Sequence, residues 1–167
     1  MTLSIHDLSI PMFTRGLNSL SGLMDKAEDQ GFDTAALMQA QLAEDMRPFA
    51  DQVRMACFGP RGAVARLAGI DWPRTNDDEA DFAQLRATLR LSLDFLAGIT
   101  PDQLKDSETR EIVLKLPNLE LKFTGAGYLT SFALPNFYFH LTTAYDILRN
   151  QGVVLGKRDY LGQLDLI

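Results

Sequence analysis

The chain is poor in the groups that usually carry metal, redox and phosphate chemistry. It has one cysteine, Cys57, and two histidines, His6 and His140, in 167 residues. A lone cysteine excludes an intramolecular disulfide, a CxxC pair and zinc-finger spacing. Two histidines cannot supply a zinc site of three imidazole nitrogens. The sequence holds no GxGxxG or GxxxxGK[ST] loop, so the glycine-rich phosphate cradles are absent. It holds no GxSxG elbow for a nucleophilic serine. Neither histidine has a glutamate three residues before it, as di-iron bundles require. No apolar run is long enough to span a bilayer, and the first residues lack the basic and apolar regions of a signal peptide. Positive charge is also scarce: 16 Lys and Arg stand against 22 Asp and Glu, a net charge of −6. That balance excludes a phosphate-binding nucleic-acid surface and disfavours an anionic membrane. The simplest setting is reduced and cytoplasmic, with neither nucleic acid nor membrane as partner.

What is present reads as one domain over residues 1–167, 46% hydrophobic and 23% charged. Residues 4–30 carry Ile10, Phe13, Leu17, Leu20, Met24 and Ala27 on one helical stripe. Ser4 and Asp7 have the spacing of a capping box. Pro11 predicts a kink, or a start delayed to Ser9. Asp33 can cap a short helix ending near Gln41. A second long helix is predicted over residues 45–67, broken or kinked at Pro60. Residues 68–80 read as a loop in which Trp72 and Pro73 cover a bundle edge. A third long helix follows over residues 78–97, with Asp77, Asp78 and Glu79 as solvated charges at its start, and Gly98 ends it. A fourth is predicted over residues 126–151, bent or restarted at Pro135, with Gly152 as its stop. The tail from Val153 onward should fold back along the bundle.

Residues 110–124 change period. Ile112, Leu114 and Leu116 alternate with Glu111, Val113 and Lys115, and Leu119, Leu121 and Phe123 alternate with Glu120 and Lys122. A two-residue loop at Pro117-Asn118 pairs 116 with 119, 114 with 121 and 112 with 123. All three pairs are apolar, so this face must lie on the helices. The fold class is therefore all-α: an antiparallel four-helix bundle with one small β-hairpin.

Residues 134–149, LPNFYFHLTTAYDILR, concentrate the chemistry. Asn136 and His140 are four apart and share one face of an apolar helix. Tyr138 and Tyr145 add polar contacts. Asp45 and Gln52, seven apart, share a face of the second helix, and one of them is expected to meet His140. The competing reading for Asp45 is a helix cap, and for Gln52 a solvated edge position. Cys57 reads as an inert buried hydrophobe.

This late helix, with His140 followed by Leu148-Arg149, resembles the DinB/YfiT-like superfamily of metalloenzymes. The stretches LAEDM at 42–46, ALPNFYFH at 133–140 with TTAY at 142–145, and LGKRD at 155–159 are similar to an uncharacterised bacterial domain-of-unknown-function family within it. The resemblance covers essentially the whole chain. It implies a site of three histidines in which Asn136 and either Asp45 or Gln52 stand where the superfamily has imidazoles.

Three functions follow as expectations. The first is a pocket for a small, partly apolar ligand near His140, lined by Asp45, Gln52, Asn136, Tyr138 and Tyr145. The second is a metal-dependent hydrolase or thiol-transferase, with a divalent ion on His140, Asn136 and Asp45. Loss of two imidazoles lowers affinity for zinc, nickel and copper at such a site. The third is a homodimer, which the superfamily resemblance also implies, with no ligand site.

Overall fold

The structure, a computed structural model, describes residues 3–164. The first long helix, α1, spans Ile5–Asp29. Ser4 Oγ accepts the Asp7 N–H at 3.2 Å, and the Asp7 carboxylate accepts the Ser4 N–H at 3.0 Å, completing the capping box. Asp33 caps α2, Thr34–Gln39, as its sequence position indicates. The second long helix, α3, spans Phe49–Ala68, and α4 spans Phe82–Ala97. Strands β1, Glu111–Leu116, and β2, Leu119–Thr124, form the hairpin. A short α5, Gly125–Tyr128, runs through a π-turn at Leu129–Ala133 into α6, Leu134–Asn150. The last element, α7, spans Lys157–Leu161.

Helices α1, α3, α4 and α6 enclose one hydrophobic cluster in which Phe13, Phe49, Phe82 and Phe137 are fully or almost fully buried. Phe13 meets Phe137 edge-on at 5.2 Å, joining α1 to α6, and Phe49 stacks on Phe82 at 5.5 Å, joining α3 to α4. Helix α7 returns along α1. The remainder of the tail, 165–167, lies outside the described residues. No helix among the described residues is long and apolar enough to cross a membrane.

Four sequence expectations are corrected. Helix α3 begins at Phe49, not at residue 45, and its N-cap is Pro48, which offers no side-chain cap. Pro60 neither breaks nor ends α3, and Pro11 lies inside an unbroken α1. Both prolines remove a backbone donor, at a cost of about 3 kcal/mol. Burial of the surrounding turns in the core offsets it. Helix α4 starts later than predicted, with Asp81 as its cap accepting the Gln84 N–H at 2.8 Å. Glu79 is not a solvated charge. It is buried, and its carboxylate takes hydrogen bonds from Arg54 of α3 at 2.8 Å and Thr88 of α4 at 2.5 Å.

The hairpin register is the predicted one: 112 with 123, 114 with 121, 116 with 119. Ile112 and Leu114 are buried, and Phe123 packs on Tyr128 at 5.8 Å. The outermost pair, Leu116 and Leu119, is exposed at 48% and 53%. The apolar face thus reaches the helices over two of its three pairs.

Pro135 is absorbed rather than obeyed. In an α-helix its ring would crowd the carbonyl four residues back. Here the preceding turn widens, with the Leu134 N–H bonding the Leu129 carbonyl five residues back. The chain stays helical, and Asn136 does not sit at a new free N-terminus.

Glycine positions give a stability test of this packing. A Cβ on Gly125 would lie 1.9 Å from the Ser107 carbonyl oxygen, where backbone must move, whereas one on Gly22 would meet nothing within 4 Å. Gly125→Ala is expected to destabilise by about 1–3 kcal/mol. Gly22→Ala should stabilise by about 0.5–1 kcal/mol through helix propensity. Thermal melts of the two variants should move in opposite directions, and a shared sign would contradict the packing.

Candidate functional site

Helical phase divides the candidate residues. Tyr138 and His140 are two positions apart on α6, about 200° around the axis, so they point to opposite sides. Tyr138 and Tyr145 are seven apart and share a face, as do Asn136 and His140 at four apart. The structure follows this division. His140 faces α3. Tyr138 faces α1, where its hydroxyl lies 4.0 Å from Met12 Sδ, and Tyr145 meets Tyr160 of α7 edge-on at 5.6 Å.

On the α3 side, His140 Nδ1 lies 2.8 Å from Gln52 Oε1. Gln52 is 1% exposed, and its Nε2 donates to the Arg47 carbonyl at 2.9 Å. That second bond fixes which way the amide points. Its oxygen is left as the acceptor, so His140 Nδ1 must carry the proton. In the neutral ring Nε2 then holds a lone pair, and it has no hydrogen-bond partner among the described residues. The ring is half-buried, with Phe139 edge-on at 5.3 Å and itself 55% exposed. Burial, and then the positive charge of Arg47, lower the His140 pKa from its ordinary value of 6.5. The ring is neutral at physiological pH.

Asn136 lies one turn away on the same face. Its Nδ2 is 3.7 Å from where a Gly59 Cβ would stand, and it makes no side-chain hydrogen bond to His140. Asp45 lies exposed in the loop before α3, with no ion pair or hydrogen bond to His140 among the described residues. Of the two alternatives on the second helix, Gln52 is the group that meets His140. Cys57 is fully buried, and desolvation pushes its thiol up to about 12, so it is inert as a nucleophile.

Two cavities lie on the other side of α6. One, of about 760 Å³, runs between α1 and α7 beside Arg15 and Ser19. A second, of about 220 Å³, continues from it to Tyr138 and Tyr160. Sequence reasoning missed Arg15 and Ser19. Both sit in the first helical repeat with no neighbouring motif, and only the return of α7 encloses them.

The lowered His140 pKa carries a pH consequence. The unfolded chain takes up the imidazole proton first as pH falls, so folding stability is lost from about pH 6.5 downward. The loss continues until the pH has passed the lower folded value. His140→Gln should therefore flatten the stability profile between about pH 7 and 5. Urea denaturation across that window measures it, and an unchanged slope would count against a proton-poor His140.

Known proteins bear on this chain in two ways. A family described as a domain of unknown function, DUF1993, matches residues 5–161. The crystal structure of a DinB family member from Shewanella denitrificans is similar, with a TM-score of 0.88 and 34% sequence identity. The match covers 98% of this chain and 94% of that one. No curated protein matches in sequence. A family match over nearly the whole length and a close solved relative agree with the helical order and the hairpin, and the chain belongs to the DUF1993 family, with a DinB-like fold.

Proposed function

We propose that this protein is a small-molecule-binding member of the DinB-like group in which His140 serves as a neutral hydrogen-bond acceptor, not as one arm of a metal site. The observation that carries the proposal is the Arg47–Gln52–His140 chain of hydrogen bonds. It commits Nδ1 as a donor and leaves the Nε2 lone pair available beside the exposed ring of Phe139. A fixed tautomer next to an aromatic surface suits a ligand with one hydroxyl or amide N–H and an apolar body.

The superfamily resemblance implies a divalent ion at this place, and the donor set does not fit one. Gln52 and Asn136 are neutral amides that offset no charge, and the Gln52 oxygen is already engaged by His140. Among the described residues no three His, Cys, Asp or Glu side chains gather closely enough to hold a metal. These points favour binding over the hydrolase or thiol-transferase alternative.

The test pairs two measurements on the full chain. Calorimetric titration with zinc and with nickel is expected to show no saturable micromolar binding. Imidazole ¹⁵N correlation spectra should show His140 protonated on Nδ1 and free on Nε2 at neutral pH. Stoichiometric metal in protein purified without chelators, or a proton on Nε2, would overturn the proposal.

A homodimer is the second reading, and a specific feature favours it. Leu116 and Leu119 form an exposed apolar pair at the hairpin tip, a surface a symmetric partner would cover. Light scattering at micromolar concentration should then give twice 18.6 kDa. Changing both leucines to Lys should return the monomer mass. A monomer in the unaltered chain removes this reading.

A further inference from the structure

The groove between α1 and α7 has a charge balance opposite to that of the chain. Arg15, Lys26 and Arg158 line it against one carboxylate, Asp159. Lys26 is committed to Asp159 at 2.7 Å. Arg15 and Arg158 form no ion pair among the described residues. For Arg15 this is a notable deficit. A guanidinium has five N–H donors; here one is given to the Met12 thioether at 3.0 Å, a weak acceptor, and the guanidinium also approaches the Tyr138 phenol, which leaves most of its donors free.

A second, independent observation points to a ligand. Ser19 is 5% exposed and lies on the seam shared by the two cavities. Its hydroxyl is buried and has no hydrogen-bond partner among the described residues. Buried polar groups without partners are rare in folded proteins, and one lining a cavity marks a place for an exogenous acceptor. Beyond Arg15 and Ser19 the groove turns apolar, towards Tyr138, Leu141 and Leu161. Burial holds the Tyr138 phenol above its ordinary range, opposed by the charge and a side-chain contact of Arg15, so the phenol is neutral.

We infer that the α1–α7 groove binds a small organic anion, its charged group between Arg15 and the Ser19 hydroxyl and its apolar body against Tyr138 and Leu141. A carboxylate offers acceptors to the free donors of Arg15 and to the unpartnered Ser19 hydroxyl at once. Arg matches its two oxygens, and Ser donates one further bond. The site lies across α6 from His140, and the inference does not depend on how His140 is read.

The probe is anilinonaphthalenesulfonate, an aromatic sulfonate whose fluorescence rises in an apolar site. It is titrated into the full chain, then displaced with decanoate or with decanol. Expected are saturable binding at one site per chain and displacement by decanoate but not by its neutral analogue. Arg15→Gln should weaken binding by about tenfold or more through loss of the charge. Gly22→Leu should do the same by filling the groove, because Gly22 lines it and faces open space. Lys157→Gln, on the outer surface of α7, should change nothing. Melting temperatures confirm that each variant is folded, and the decanoate–decanol comparison needs no variant. Absence of saturable binding, equal displacement by decanol, or a loss in only one of the two groove variants overturns the inference.

Discussion

Burial of α3 on nearly every side is the constraint from which the other arrangements follow. Thirteen of its twenty residues are buried. A helix so enclosed cannot turn its polar groups to water, so each must find a partner inside. Gln52 finds the Arg47 carbonyl and His140. Arg54 finds Glu79 and Asp51. Arg61, wholly buried, donates to the Cys57 and Pro73 carbonyls and to Thr75. These bonds fasten the loop after α3, the start of α4 and the middle of α6 to one element. The Trp72 ring lies in the same loop, with Arg66 at 4.9 Å and Arg74 at 4.5 Å. Breaking one of these bonds strands a group that has nowhere else to go, which costs more than a surface contact is worth.

The same constraint explains the electrostatics. The chain is acidic overall, yet three arginines, Arg54, Arg61 and Arg66, lie on its most central helix. Burial disfavours the charged form of Arg61, and the charges of Asp77 and Glu79 oppose that penalty without touching it directly. Glu79 keeps its carboxylate ionised by the opposite route. Burial would raise its pKa, but bonds from Thr88 and Arg54 bring it below the ordinary carboxylate range. A buried acid with direct partners and a buried base with backbone partners thus solve the same desolvation problem with different chemistry.

Much of the fold was legible because periodicity reports burial. The 3.6-residue rhythm located α1, α4 and α6, and the alternation at 110–124 gave the hairpin register pair by pair. Local rules failed where tertiary packing overrode them. Pro11 allowed a later helix start and Pro60 a break, but both helices run on, because a helix packed on several neighbours tolerates a missing bond. Asp45 resembled a cap, but the chain reaches α3 through Pro48. The candidate site was legible in part. Spacing put Asn136 and His140 on one face, and the same arithmetic places Tyr138 opposite, a division hidden when residues are grouped by nearness in sequence. The Gln52 bond to His140 spans 88 positions and leaves no local trace. Nor does the groove at Arg15 and Ser19, which exists only because the tail returns.

The π-turn at Leu129–Ala133 sets how this helix can change length over evolutionary time. A π-turn is an α-helix that has taken in one extra residue without shifting the phase of either end. Upstream, Tyr128 keeps its ring on Phe123 of the hairpin, and downstream, His140 keeps its ring on Gln52. Deleting one residue from the widened turn, with Pro135 replaced so that no ring needs the extra room, would restore a plain helix and leave both faces where they are. Inserting or deleting one residue elsewhere between Tyr128 and His140 would rotate one end by about 100° relative to the other. A related chain without a proline at this position therefore has one place in this helix where a single-residue gap keeps both ends in phase. The hairpin contact and the histidine contact can be inherited together across it.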